Sequence, residues 1–260
     1  MTKIYMALPA GLAVATRHEG RWETDLALTG AYTQCLASDP LHRERIYCGT
    51  FDKGLWRSAD AGATWRPAGE GIPHPMVMSV AVSPVDRIGD YGAVWAGTEP
   101  SALFRSEDGG QTWQDRPALL DIPSRPTWSF PPRPHTHHVR WITPDPNDAG
   151  RLFVAIEAGG VMRSLDGGLT WEDRKPTGPY DAHTMSAPRN APNTVCAACG
   201  DGFMAPGDGY AESHDGGESW ERVGVGLGQH YLWAWRSIRR SRARCSYRRQ
   251  PDLRRRTSRR

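Results

Sequence analysis

Apolar residues along this chain fall in short runs separated by Gly, Pro, Asn and Asp. Residues 139–143, 152–157, 160–164 and 170–173 are four such runs in succession. Runs of that length bounded by turn residues predict strands, named here A to D of one unit. A proline marks the end of each predicted strand A, at Pro40, Pro84, Pro144 and Pro188. No apolar run approaches the ~18 residues of a membrane-spanning helix. The pattern therefore predicts an all-β chain of short strands and tight loops.

The unit repeats. Four segments match S-x-D-x-G-x-[ST]-W: Ser58 to Trp65, Ser106 to Trp113, Ser164 to Trp171, and Ser213 to Trp220, with the tryptophans 48, 58 and 49 residues apart. A regular period of this size signals a repeat architecture. The motif reads as the hairpin turn between strands C and D. Asp60, Asp108, Asp166 and Asp215 accept hydrogen bonds from turn amides, as Asx-turns do. Gly62, Gly110, Gly168 and Gly217 supply a backbone shape other residues resist. Trp65, Trp113, Trp171 and Trp220 then pack on the sheet. The N-terminus fits the same template without a box: Ile4-Tyr5 aligns with Ile46-Tyr47, Gly11-Leu12 with Gly54-Leu55, and Trp22 with Trp65. The chain is thus expected to begin at strand B of a first unit.

These boxes resemble those of the Asp-box, or BNR-repeat, propellers, a superfamily that includes sialidases, xyloglucan-cleaving glycosidases, sortilin-type receptors and photosystem-assembly scaffolds. The resemblance spans about residues 1–235. It implies a β-propeller of four-stranded antiparallel blades, about four complete and two partial. It says little about activity, because the boxes are structural and function sits elsewhere on the ring.

Composition divides the chain. The net charge is +3, yet residues 236–260 hold 12 Arg and one acid, Asp252. Residues 1–235 therefore carry 20 basic and 28 acidic groups, a net of −8. An acidic body excludes nucleic acid as the partner of the whole chain, and no membrane segment is expected. The Arg-rich residues 236–260 read as a disordered, non-propeller tail and the product of a single-base deletion near codon 234. A GC-rich back-translation of residues 233–242 with one G restored reads W-G-L-A-V-D-P-A-E-P, a strand A with its proline. The alternative is a genuine RNA-binding or nuclear-targeting arm. Four complete and two partial blades would leave the ring open, with unpaired edges that predict aggregation. Cys196 and Cys199 form a C-x-x-C within a predicted strand, where positions three apart face opposite sides; buried thiols are expected, with no zinc pair. Residues 4–15 follow Lys3 and imitate a short signal peptide, but the repeat claims them as strands. The expected compartment is cytoplasmic, with secretion as the alternative.

In a four-stranded blade the C–D turns share one side of the disc with the A–B loops, so the box aspartates are not catalytic. The opposite mouth is built from D–A and B–C connections. Residues 116–136 are a long D–A connection with Trp128, Phe130 and Arg133, leading into His135, His137 and His138. Arg140 follows on the inner strand. The next start carries Tyr180, Asp181 and His183, the one after it His230 and Tyr231, and the B–C loop 200–210 adds Asp201, Asp208 and Tyr210. Three readings are open: a hydrated polar funnel, a site where His and Trp stack and hydrogen-bond a sugar or similar molecule, or a metal held by two or three imidazoles. No complete metal set or cofactor motif is specified. A carbohydrate or protein partner is expected for a binding or scaffold module. The alternative is a glycoside hydrolase using two carboxylates, for which Asp181, Asp201 and Asp208 are the candidates. Sialidase-like propellers carry an Arg-Ile-Pro motif near the start and an arginine triad; here Ala7-Leu8-Pro9 stands there and Arg140 is the only arginine expected on an inner strand. Sialidase activity is disfavoured.

Overall fold

The computed structural model describes residues 2–228, 230–237 and 245–247. The first sheet contains β1 (Thr2–Leu8), β2 (Gly11–His18) and β3 (Arg21–Ala27), which are strands B, C and D of blade 1. Blade 2 is β4 (Thr33–Ser38), β5 (Ile46–Thr50), β6 (Leu55–Ser58) and β7 (Arg66–Pro67). Blade 3 is β8 (Met76–Ile88), β9 (Tyr91–Glu99), β10 (Leu103–Ser106) and β11 (Gln114–Asp115). Blade 4 is β12 (Val139–Pro144), β13 (Leu152–Ile156) and β14 (Gly160–Ser164), with its predicted strand D reduced to the bridge Arg163↔Glu172. Blade 5 is β15 (Ala182–Ser186), β16 (Val195–Cys199), β17 (Tyr210–Ser213) and β18 (Glu221–Arg222). All pairings are antiparallel meanders. The A strands β4, β8, β12 and β15 neighbour one another in chain order about an axis, and β1 abuts β4. This is the radial arrangement of a β-propeller.

Every strand B from β5 to β16 is an unbroken buried run or nearly so, because both of its faces meet another blade. One core lies between blades 3 and 4, where Trp95 and Leu103 meet Val139, Leu152, Val154 and Met162. The next joins Phe153 and Val161 to Met185, Val195, Ala197 and Trp220. At ~25 cal/mol per Å² of apolar surface, these inter-blade faces are the main source of cohesion.

The four box turns share one geometry. Ser58 Oγ donates to Asp60 Oδ1 (2.7 Å) and accepts from Gly62 N (2.8 Å). Asp60 also takes the amide of Thr64 (2.8 Å) and its hydroxyl (2.6 Å). The same network recurs at Asp108, Asp166 and Asp215. The box glycines have φ of +81 to +87° and lie against the strand-B aromatic of the preceding blade: Gly62 on Tyr5, Gly110 on Tyr47, Gly168 on Trp95 and Gly217 on Phe153. Tyr5 occupying this place bears out the alignment of Ile4-Tyr5 with Ile46-Tyr47. Cys196 and Cys199 are buried on opposite faces of β16, as expected.

Two expectations need correction. Pro84 does not end its strand: β8 runs to Ile88 through an irregularity between Val82 and Arg87. Proline lacks an N–H for the ladder, so it sits in that irregular part, where Ser83 Oγ accepts from the amides of Val85 and Asp86. Arg87 thereby joins an inner strand, and Arg140 is not alone there. β19 (Trp235–Ser237) pairs with β20 (Cys245–Tyr247), and β19 lies beside β15. These are the A and B places of a further blade; residues 238–244 and 248–260, on which the expected disorder and the frame disruption fall, lie outside the described residues. Among those described, no helix is long and apolar enough to cross a membrane.

Candidate functional site

The inner strands of blades 2 to 5 each carry one extra residue near the start. Thr33↔Thr50 is followed by Cys35↔Gly49, Val77↔Thr98 by Ser79↔Gly97, Val139↔Ile156 by Trp141↔Ala155, and Ala182↔Cys199 by Thr184↔Ala198. The skipped residues are Gln34, Met78, Arg140 and His183. A bulge re-aims a side chain that the period-2 pattern would send elsewhere. In blades 4 and 5 the re-aimed groups are charged or titratable, and they meet the strand-B ends on the side away from the boxes.

There, Glu99 and Glu157 end successive B strands. Arg133 grips Glu99 through Nε (2.9 Å) and Nη2 (2.6 Å). Buried His138 stands between the two carboxylates: Nε2–H donates to Glu157 Oε2 at 3.0 Å, and Nδ1 lies 3.4 Å from Glu99 Oε2. Arg140 Nε is 3.3 Å from Glu157 Oε2. The Nδ1 and Nε contacts are close enough for charge attraction but are not aligned as hydrogen bonds. In blade 5, His183 is 0% exposed. Its Nδ1–H donates to Leu232 O (2.9 Å), and its Nε2 faces Asp181 Oδ2 (3.4 Å) and the Tyr231 hydroxyl (3.5 Å). Trp233, 37% exposed, stacks on His183 with centroids 4.5 Å apart and takes Arg140 over its ring at 5.1 Å.

Burial pushes the Glu157 carboxyl up, but the His138 hydrogen bond and the charge of Arg140 outweigh it and lower its pKa. Asp181 is treated alike: burial raises it, while His183, the amide of Ala158 and Arg140 bring it below the usual value. Both are carboxylates at neutral pH. Tyr231 is raised to about 12 by burial and by the charges of Asp181 and Glu157.

The other sequence candidates divide. Asp201 accepts the amides of Tyr180 and Asp181 (2.9 and 3.0 Å) and lies 3.5 Å from Arg222, so it shapes the loop beside the cluster. Asp208 contributes its carbonyl to Arg222. Trp128, 5% exposed, belongs to the core between blades 3 and 4 and donates its N–H to Ser124, which leaves no open indole face for a ligand. Its connection, the long D–A segment of residues 116–136, is packed through Leu119 and Ile122. His137 turns its ring edge-on to Trp128, and burial, with Arg125 and His138, lowers its pKa. His135 is exposed. His230 accepts from Gly207 N and stays at the B–C loop. Tyr210 is buried on β17, its hydroxyl on Glu212. Tyr180 is exposed under the Arg174 guanidinium. Of the predicted residues, the structure gathers His138, Arg140, Asp181 and His183. Sequence reasoning missed Glu99, Glu157 and Trp233. The available signal was the B–C connection itself: Glu99-Pro100 and Glu157-Ala158 stand where strand B ends, on the side already assigned to function.

A cavity of about 370 Å³ lies on the opposite side, lined by Arg45, Tyr47, Arg57, Asp60 and Tyr91. Arg45 is taken up by Asp90 O and Asp39, and Arg57 by Gly109 O. It is a seam between box turns rather than a second cluster of reactive groups.

No family profile and no curated protein matches this chain. Among solved structures it is similar to the GH74 xyloglucanase from Xanthomonas campestris, with 17% identity over 84% of this chain and a TM-score of 0.60. It is also similar to the extracellular domain of a hybrid two-component system from B. thetaiotaomicron, with 15% identity, 91% coverage and a TM-score of 0.60. YCF48 bound to D1 peptide follows at 13% identity, 88% coverage and a TM-score of 0.50. The chain spans 36% of the xyloglucanase, 30% of the two-component domain and 81% of YCF48. At these identities the likeness shows the fold alone, and that fold is a β-propeller.

Proposed function

We propose that this chain is an Asp-box propeller that binds a carbohydrate or a peptide segment at the mouth opposite its boxes, without turning it over. The observation that carries this reading is the convergence of two bulge residues, Arg140 and His183, on the half-exposed indole of Trp233 beside Asp181 and Glu157. An aromatic face flanked by fixed charges suits a sugar ring or an apolar side chain with polar neighbours. Both chemistries occur among the similar structures, one a xyloglucanase and one bound to a peptide. Labelled oligosaccharide and peptide arrays test the reading: saturable binding by the full chain, lost in Trp233→Ala, is expected. Binding that Trp233→Ala leaves intact sinks it.

One observation favours a glycoside hydrolase as the second reading: carboxylate oxygens of Glu157 and Asp181 lie within 4.8 Å, close to the spacing of retaining enzymes. Against it, the mechanism needs one neutral acid, and both carboxyls are held ionised. Glycan release that disappears in Asp181→Asn would establish the enzyme instead.

A further inference from the structure

Glu157, Asp181 and His183 do more than line the mouth. Each offers one ligand atom, and these atoms all lie within 4.8 Å of one another. They come from two blades: Glu157 follows β13, while Asp181 and His183 flank the start of β15. We infer that the three form a binding site for a divalent transition metal of the zinc or manganese type. This deepens the reading of the mouth as a ligand site and rests on it.

The argument is one of spacing, orientation and donor type. Zn²⁺ bonds to imidazole nitrogen and carboxylate oxygen are about 2.0–2.2 Å long, so donors around one ion stand roughly 3–4 Å apart, and His183 Nε2 and Asp181 Oδ2 are 3.4 Å apart. Orientation is set by a second layer of contacts, as at metal centres generally. The Leu232 carbonyl holds the proton on His183 Nδ1, which leaves the Nε2 lone pair of the neutral ring facing the carboxylates. Asp181 Oδ1 accepts from Ala158 N at 3.1 Å, so Oδ2 is the oxygen turned toward His183. Glu157 is held by His138 and Arg140. His183 is fully buried and is the bulge residue of β15, so its position does not depend on a mobile side chain.

One imidazole with two carboxylates selects the metal class. Ca²⁺ and Mg²⁺ take oxygen ligands, whereas imidazole suits zinc and other first-row metals. The site differs from the set of imidazoles considered from sequence: His135 and His230 stand apart, and carboxylates take their place. Three protein donors leave at least one position for water or for an oxygen of the bound ligand. Arg140 offsets one of the two negative charges, which makes removal of either carboxylate costly to cation binding.

The full chain, freed of metal by a chelator, is titrated with ZnCl₂, MnCl₂ and CaCl₂ by calorimetry and with CoCl₂ by visible absorption. One equivalent is expected, with Co²⁺ bands that report a nitrogen ligand. Asp181→Asn and Glu157→Gln are expected to weaken binding by more than the roughly 10–100-fold typical of outer-layer changes. His214→Gln, which alters an exposed imidazole elsewhere, leaves it unchanged. Absence of a bound equivalent, equal binding by all the variants, or Ca²⁺ bound as tightly as Zn²⁺ overturns the inference. If either carboxylate variant fails to fold, the Co²⁺ spectrum of the unaltered chain decides: bands without a nitrogen ligand reject the site. The arrays are run both with chelator and with added ZnCl₂: ligand capture without any metal binding rejects the ion alone, and metal binding without capture in either arm rejects the ligand reading.

Discussion

At the scale of single residues, the box aspartates and glycines carry most of the local information. Asp60 is lowered to about 2 by the hydroxyl and amide of Thr64 and by Ser58. Burial pushes Asp108 up, but its hydrogen bonds with Thr112 and Ser106 outweigh that and bring it to about 2 as well. A depressed carboxyl stabilises the fold fully above its unfolded value near 3.8, and that contribution is lost as pH falls through the folded value near 2. The urea midpoint is therefore expected to hold from pH 7 to about 5 and to drop steeply between about 4 and 2. Asp60→Asn should flatten part of that drop; an identical acid profile in the variant would refute the assignment. The paired glycines of a box separate two effects. Gly167 (φ +71°) has open space where a Cβ would go, while a Cβ on Gly168 (φ +81°) would stand 3.0 Å from Trp95. Gly167→Ala should cost about 1–2 kcal/mol of backbone strain. Gly168→Ala should cost a further 1–3, roughly the penalty of overpacking. Chemical denaturation of the two variants compares them directly.

At the scale of elements, the long connection before β12 behaves as core. Its two short 3-10 helices, Pro117–Asp121 and Arg125–Thr127, set Leu119 and Trp128 against Leu103, Val139 and Ile156. Leu119→Ala is expected to destabilise by about 2–5 kcal/mol, as a core deletion does; a loss under 0.5 kcal/mol in a urea titration would mean the segment is a surface loop. This element shows where sequence reading stopped. Its prolines and lack of alternation read as loop, and nothing local told that Leu119, Ile122 and Trp128 turn inward. The four inner-strand bulges were equally hidden, since an extra residue leaves no mark in composition and changes only which way Arg140 and His183 point.

At the scale of the whole molecule, the blades follow one rule: each strand-B residue facing back along the ring is covered by the blade before it. Ile46 and Cys48 are 2% and 0% exposed in β5, yet their counterparts Ile4 and Met6 in β1 are 45% and 40% exposed. Leu8, Trp22 and Leu26 share that face through the register of β1, β2 and β3. Among the described residues nothing covers this apolar sheet face or pairs with the free edge of β1, and such a face favours self-association. Sedimentation velocity should show concentration-dependent oligomers that Ile4→Lys with Leu26→Lys reduces; a monomer at every concentration would contradict this.

The repeat, the box turns and the strand B aromatic at Tyr5 were legible in the amino-acid order. Each depends on residues within one turn or one strand, where hydrogen-bond partners are a few positions apart. Tertiary structure alone decided which charges meet. Glu157, His183 and Trp233 come from three successive units, and their approach is set by inter-blade packing and by a bulge that breaks the alternation from which a side chain's direction would otherwise be read.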